Sequence, residues 1–176
     1  AAWLGGQLPQ TPGASTWMFK TLVGISPDLY NGTSRNRLIG IPGVSFGKGV
    51  NIYETVGGVN ITENGWMVGG QYIDITVFLD WLKATMQTNV FALLVNNPKI
   101  PYTDKGVSVI ENAVRQTLKQ GSDDGGTGGL DATTITVAVV PVSSIPANTR
   151  AARILPTNSI KWTARLTGAF HFVRID

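Results

Sequence analysis

The sequence predicts an α/β (α+β) fold: a mixed β-sheet packed by two main amphipathic helices, with a β-hairpin and Gly-rich loops. Three observations carry this expectation. Residues 69–121 hold two apolar stripes at helical spacing, separated by a Pro-bounded loop. VNIYETVGGVNIT reads as a hairpin, and strand-like patterns recur at 133–140 and in IKWTARLTGAFHFVRI. Strands alternating with helical segments call for layers of sheet and helix.

The first helix is placed by counting. Ile75, Phe78, Leu79, Leu82, Met86, Val90, Phe91 and Leu94 recur at steps of three and four, while Asp80, Lys83, Thr85 and Gln87 fall mainly on the other side. Asn96-Asn97-Pro98 stops it, because Pro lacks a donor and moves its predecessor away from helical angles. The second helix begins at Thr103, which can cap free amides, followed by Asp104 at the positive end of the dipole. Val107, Ile110, Ala113, Val114, Thr117 and Leu118 form its stripe, and Gly121 stands where a left-handed cap is usual.

The remaining elements are shorter. Residues 1–46 are Gly- and Pro-rich, with Trp3, Trp17 and Phe19 as expected anchors. Ser26-Pro27-Asp28 has the form of a helix start, and Asn31-Gly32 keeps any helix there short, with a second start at Thr33 or Ser34. Gly57-Gly58 supplies the hairpin turn, and 66–68 adds an expected third strand. GSDDGGTGGLD, residues 121–131, reads as a flexible, exposed loop. The segment 133–140 reads as a strand and 146–154 as a turn or short helix. The last strand, 160–175, is expected to bend at Thr167-Gly168.

Composition narrows the function. Charged residues make up 14% of the 176, against roughly 25% in ordinary soluble domains. Many Gly, Thr and Asn with few charges suit a turn-rich protein whose surface is largely covered by neighbours. The net charge of +3 comes from basic residues spread along the chain, not from the basic stripe interleaved with aromatics that nucleic acid demands. No apolar run approaches the roughly 20 residues that span a bilayer. There is no Cys, so thiolate metal sites and disulfides are excluded. The start at Ala1-Ala2-Trp3 without Met reads as a fragment or a processed product of something larger, and residues 1–176 as a single domain.

Candidate chemistry is sparse. His171 is the one histidine and lies between Phe170 and Phe172, so any catalytic triad would have to use it; it reads as a packed strand residue. Asp123, Asp124 and Asp131 flank GGTGG but miss the spacing of a calcium-binding repeat. Residues 43–48 lack the Ser or Thr and the helix of a phosphate loop. Lys105, Arg115 and Lys119 line the polar side of the second helix, with Glu111 set to pair with Arg115. They read as a solvated face or as a basic patch for an acidic partner.

The ordered set AAWLG, TWMFKTL, VNIYETVGGVNIT, YID…DWLK, FALLVNNPKIPYTDKGV and RAARILP…ARLTGAFHFVRI resembles the tail sheath family of contractile-tailed phages over nearly the whole chain. The resemblance implies a virion structural protein, assembled in the host cytoplasm, with no enzymatic activity and no cofactor. Such subunits form six-membered rings stacked helically around a tail tube, bounded by a baseplate and a tail terminator. Contraction of the stack drives genome delivery. Neighbours are linked by arms that add strands to an adjacent sheet. On that reading Ile160, Trp162, Ala164, Arg165, Phe170, Phe172 and Arg174 meet a neighbouring subunit, and Lys105, Arg115 and Lys119 face the tube. The rival readings are a tube or baseplate component and a hydrolase built on His171.

Overall fold

Two consecutive glycines set the centre of the amino-terminal part of the chain. Gly57 (φ 58°) and Gly58 (φ 83°) both take the left-handed angles that a two-residue hairpin turn requires. They join β1 (Ile52–Val56) to β2 (Val59–Glu63) in antiparallel register, with Val56 opposite Val59 and Ile52 opposite Glu63. In this computed structural model the described residues are 1–41, 44, 45, 47–124 and 126–171. The chain divides into two compact units, Ala1–Phe78 with Gly168–Asp176, and Leu79–Thr167.

In the first unit the chain before the hairpin runs along both strand edges. The Thr62 amide donates to the Lys20 carbonyl at 3.0 Å, and the Phe19 amide donates to the Thr62 carbonyl at 2.9 Å. The Asp28 amide donates to the Tyr53 carbonyl at 2.9 Å. That edge contact keeps 26–28 extended, so the helix expected at Ser26-Pro27-Asp28 does not form. The helix forms one step later, as α2 (Gly32–Ile39), capped by the Asn31 side chain, which accepts from the Ser34 amide at 2.8 Å. Trp3, on the short helix α1 (Ala2–Gln7), donates its indole N–H to the Trp17 carbonyl at 3.0 Å, and the two rings meet edge to face. Trp17 is buried, as an anchor should be; Phe19 is 45% exposed. The expected third strand at 66–68 reduces to a single bridge between Trp66 and Tyr72, whose rings stack at 4.1 Å. Positive φ at Gly65 turns the chain just before the bridge, and positive φ at Gly70 turns it within the loop the bridge closes.

Helix α3 (Ile73–Asn96) begins in the first unit and runs on into the second, followed by α4 (Asp104–Gln120). The Thr103 hydroxyl accepts from the Gly106 amide at 3.3 Å, as the sequence signal required. Leu82, Val107, Val114 and Leu118 are buried, and the buried Thr117 hydroxyl accepts from Asn89 and donates to the Ala113 carbonyl, both at 2.9 Å. Only part of the α3 stripe is core. Phe91 is 67% exposed and Leu94 53%. Phe91 follows Leu82 by nine residues, about two and a half turns, which puts it on the opposite side of the helix. Gly121 is not a left-handed cap: its φ of −83° and ψ of −6° continue the right-handed turn, and its amide donates to Thr117 at 3.0 Å.

The helix and strand alternation of the α/β class is present. The described strands, however, pair as two separate two-stranded antiparallel ladders rather than as one mixed sheet. The second joins β3 (Thr136–Val139) to β4 (Ile160–Thr163), with Val137 opposite Trp162. A short helix, α5 (Ala147–Ala151), lies within the expected 146–154. No described helix is long and apolar enough to cross a membrane.

Candidate assembly surface

The ladder alternation decides which backbone groups of the second unit are open. In antiparallel pairs, residues alternate between exchanging both hydrogen bonds and turning both groups outward. The Val140 amide donates to the Ser159 carbonyl at 2.8 Å. Counting from that pair, Ala138 and Lys161 face each other, while Val137, Val139, Ile160 and Trp162 turn their amides and carbonyls away from the ladder. On the β3 side one of these groups is taken: Arg115 of α4 donates from Nη2 to the Val137 carbonyl at 3.1 Å. On the β4 side, the outward groups of Ile160 and Trp162 have no hydrogen-bond partner among the described residues.

Side chains support the same edge from below. Ile160 and Trp162 share a face, and Trp162 borders an open apolar slot of about 360 Å³ with Leu79, Leu82, Lys83, Met86 and Gln87. Ala164 is half-buried and Arg165 exposed. Here the expected long strand 160–175 is cut short. On the partner side the chain coils into a 3₁₀ turn (Ala132–Thr134), so the Arg165 amide finds the Thr134 hydroxyl at 2.8 Å instead of a ladder carbonyl. Pairing resumes only as a single bridge between Leu166 and Leu130. The structure therefore brings Ile160, Trp162, Ala164 and Arg165 together, whereas Phe170, 88% exposed, falls in the first unit. Phe172 and Arg174 lie outside the described residues.

The three basic residues of α4 do not behave alike. Lys105 and Lys119 are exposed and without an ion pair among the described residues. Arg115 contacts Glu111 at 2.7 Å, the expected i,i+4 pair, and holds Val137 with the same guanidinium. The loop after α4 is less open than its composition suggests. Ser122, Thr127, Gly129 and Leu130 are buried, and the Thr127, Leu130 and Asp123 amides donate to Gln120, Gly121 and Leu130 carbonyls at 2.9 Å. Asp123 and Asp124 at its tip are exposed. The Thr133 hydroxyl bonds Asp131 and holds that carboxyl below the usual range. Among the described residues no group of three or more His, Cys, Asp or Glu could hold a metal ion.

His171 sits in the first unit, not in a strand. Its Nε2 lies 3.1 Å from the Thr16 hydroxyl, and its ring meets Tyr72 edge to face at 4.6 Å. Burial holds its pKa below the ordinary value, opposed by Asp74. A hydroxyl and an aromatic ring orient an imidazole but do not form the acid–base–nucleophile chain that hydrolysis needs.

Sequence reading missed one cluster: Arg35 of α2 contacts Glu54 at 2.6 Å and Glu63 at 3.3 Å, with both carboxylates buried. The hairpin turn carried the signal, because its register makes Glu54 and Glu63 diagonal neighbours on one face.

Residues 73–133, which comprise α3, α4 and the loop that follows, match the model of a family described as E217 tail sheath protein gp31-like, C-terminal domain. That stretch is tail-sheath-like, and it points to a structural part of a phage tail rather than to an enzyme. No curated protein matches the chain.

Proposed function

We propose that this chain is the core of a contractile tail sheath subunit. It joins copies of itself in six-membered rings stacked around a tail tube, bounded by a baseplate and a tail terminator. Contraction of the stack drives genome delivery. The observation that carries the linkage is the open β4 edge at Ile160 and Trp162, beside a helix pair of tail-sheath-like sequence. An added strand would bind there through main-chain hydrogen bonds, which persist while the connecting arms hinge. Lys105 and Lys119, exposed on α4, are the tube-facing cations of this reading, and Arg115 serves the β3 edge.

The test separates backbone from side chain at one position. Trp162→Ala removes the indole from its slot but keeps the outward N–H; Trp162→Pro removes both. In the natural full-length subunit, with folding checked by circular dichroism, Trp162→Ala is expected to build rings and cylinders under negative stain. Trp162→Pro is expected to remain unassembled. Normal sheath from Trp162→Pro would remove this edge as the linkage.

A further inference from the structure

Glu54 and Glu63 present two carboxylates to one guanidinium. Their side chains are 8% and 7% exposed, and that of Arg35 is 31% exposed. The contacts are unequal: Arg35 Nε reaches Glu54 at 2.6 Å, while Nη2 reaches Glu63 at 3.3 Å. Direct register places Ile52 beside Glu63 and Ile61 beside Glu54, so apolar side chains flank both acids on that face. Tyr30, hydrogen-bonded to Asp28 at 2.9 Å, is close enough to sense Glu54 and brings no positive charge. Two ionised carboxylates here leave one negative charge uncompensated on a largely buried pair of acids, which costs more than it would in water.

We propose that this cluster is a proton-uptake site: on mild acidification Glu63 takes a proton while Glu54 keeps the guanidinium, which relieves the uncompensated charge buried beside the hairpin. Burial is the larger influence on Glu63 and raises its pKa; Arg35 opposes that rise and Glu54 reinforces it. The sign follows from linkage. A carboxyl whose folded pKa exceeds its unfolded one binds the extra proton in the folded state. Its contribution is fully present below the ordinary glutamate value, about 4.3, and is lost as pH rises through the raised folded value. Carboxylates whose charge is favoured by an ion pair or hydrogen bond act in the opposite sense, losing stability on acidification. Glu63 thus makes the first unit firmer in mild acid than its other ionisable groups would allow.

The experiment is a side-chain carboxyl NMR titration of the wild-type chain, with melts of wild type, Glu63→Gln and Glu54→Gln between pH 4 and pH 7.5. Glu63 is expected to titrate above the ordinary glutamate range. The Tm of Glu63→Gln is expected to exceed that of wild type near pH 7, with the difference shrinking as pH falls. Taking the difference cancels the opposite trend of His171. In Glu54→Gln the guanidinium is free to turn to Glu63, so the Glu63 midpoint is expected to move down. A wild-type Glu63 midpoint at or below the ordinary range overturns the proposal, even where a variant fails to fold. So does an unmoved midpoint in a folded Glu54→Gln, or a Glu63→Gln that melts below wild type near pH 7.

Discussion

Replacing Gly106 by Ala tests the helix pair through the sign of its effect. Gly106 lies in the first turn of α4, and in an exposed helix the change stabilises by about 1 kcal/mol. Here a Cβ would sit 1.8 Å from the Pro101 carbonyl oxygen and 3.3 Å from Ile100 Cγ2, where ordinary contact begins at 3.4 Å. The obstructing atom is backbone, so the connector must retreat by roughly 1.5 Å, beyond what packed interiors absorb without strain. That movement breaks the bond from the Thr103 amide to the Pro101 carbonyl, at 2.9 Å, worth about 1 kcal/mol. It also disturbs Ile100, Pro101 and Val107, which line one groove with Val90 and Ile110; such misfits cost about 1–3 kcal/mol. With the propensity gain subtracted, Gly106→Ala is expected to destabilise by about 1–3 kcal/mol. Gly32→Ala in α2 is the control, because nothing lies within 4 Å of its Cβ position. Urea unfolding of both variants against wild type reads the difference. A Gly106→Ala protein as stable as Gly32→Ala would refute the close approach of connector and helix.

Leu82 is 2% exposed, so Leu82→Ala is expected to cost about 2–5 kcal/mol; Ile110 is half-buried on an open groove, and Ile110→Ala should cost clearly less in the same unfolding series. His171 has a lowered pKa, so its contribution is present above the unfolded value, about 6.5, and declines as pH falls through the folded one. His171→Ala should therefore flatten that acid-side loss in thermal melts and, under the proposed function, leave sheath assembly intact; loss of a hydrolytic activity on the same substitution would return the enzyme reading.

The sequence made the elements governed by local rules legible, and the reasons are visible in particular residues. Thr103 caps α4 because its hydroxyl needs only an amide three residues on, and Gly57-Gly58 turns the hairpin because both angles are local. What escaped depends on a partner far along the chain. Phe91 and Leu94 satisfy the helical period of α3, but whether a stripe is covered depends on what lies opposite it. The strand predicted from 160 onward is rich in β-formers; it ends at Thr163 because the facing chain coils at Ala132–Thr134. In the segment 121–131, composition says only that Gly is costly to order. It does not show that Leu130 closes on Gly121, or that a Cβ on Gly126 would lie 1.9 Å from the Gln120 carbonyl oxygen. Of the expected surface residues, Ile160 and Trp162 were placed on a strand by the sequence and lie on one. The separate duty of Arg115 was not legible, because a carbonyl on β3 cannot be read from the spacing of charges on α4.

That duty gives the proposed linkage a direction. A two-stranded ladder is marginal by itself and gains from a third strand. Both outer edges of β3–β4 could supply the site on backbone chemistry alone. Arg115, already held by Glu111, occupies the Val137 carbonyl, so a strand arriving beside β3 would have to displace a charge-assisted bond before forming its own. Among the described residues, a strand arriving beside β4 displaces no protein group, and Trp162 and Ile160 offer it two amides and two carbonyls above the face that packs toward α3. Opening the β3 edge should therefore cost specificity before it costs stability. Arg115→Met keeps the aliphatic stem and removes the hydrogen bonds, and under the proposed function it should admit strands at the second edge and yield irregular aggregates beside ordered sheath.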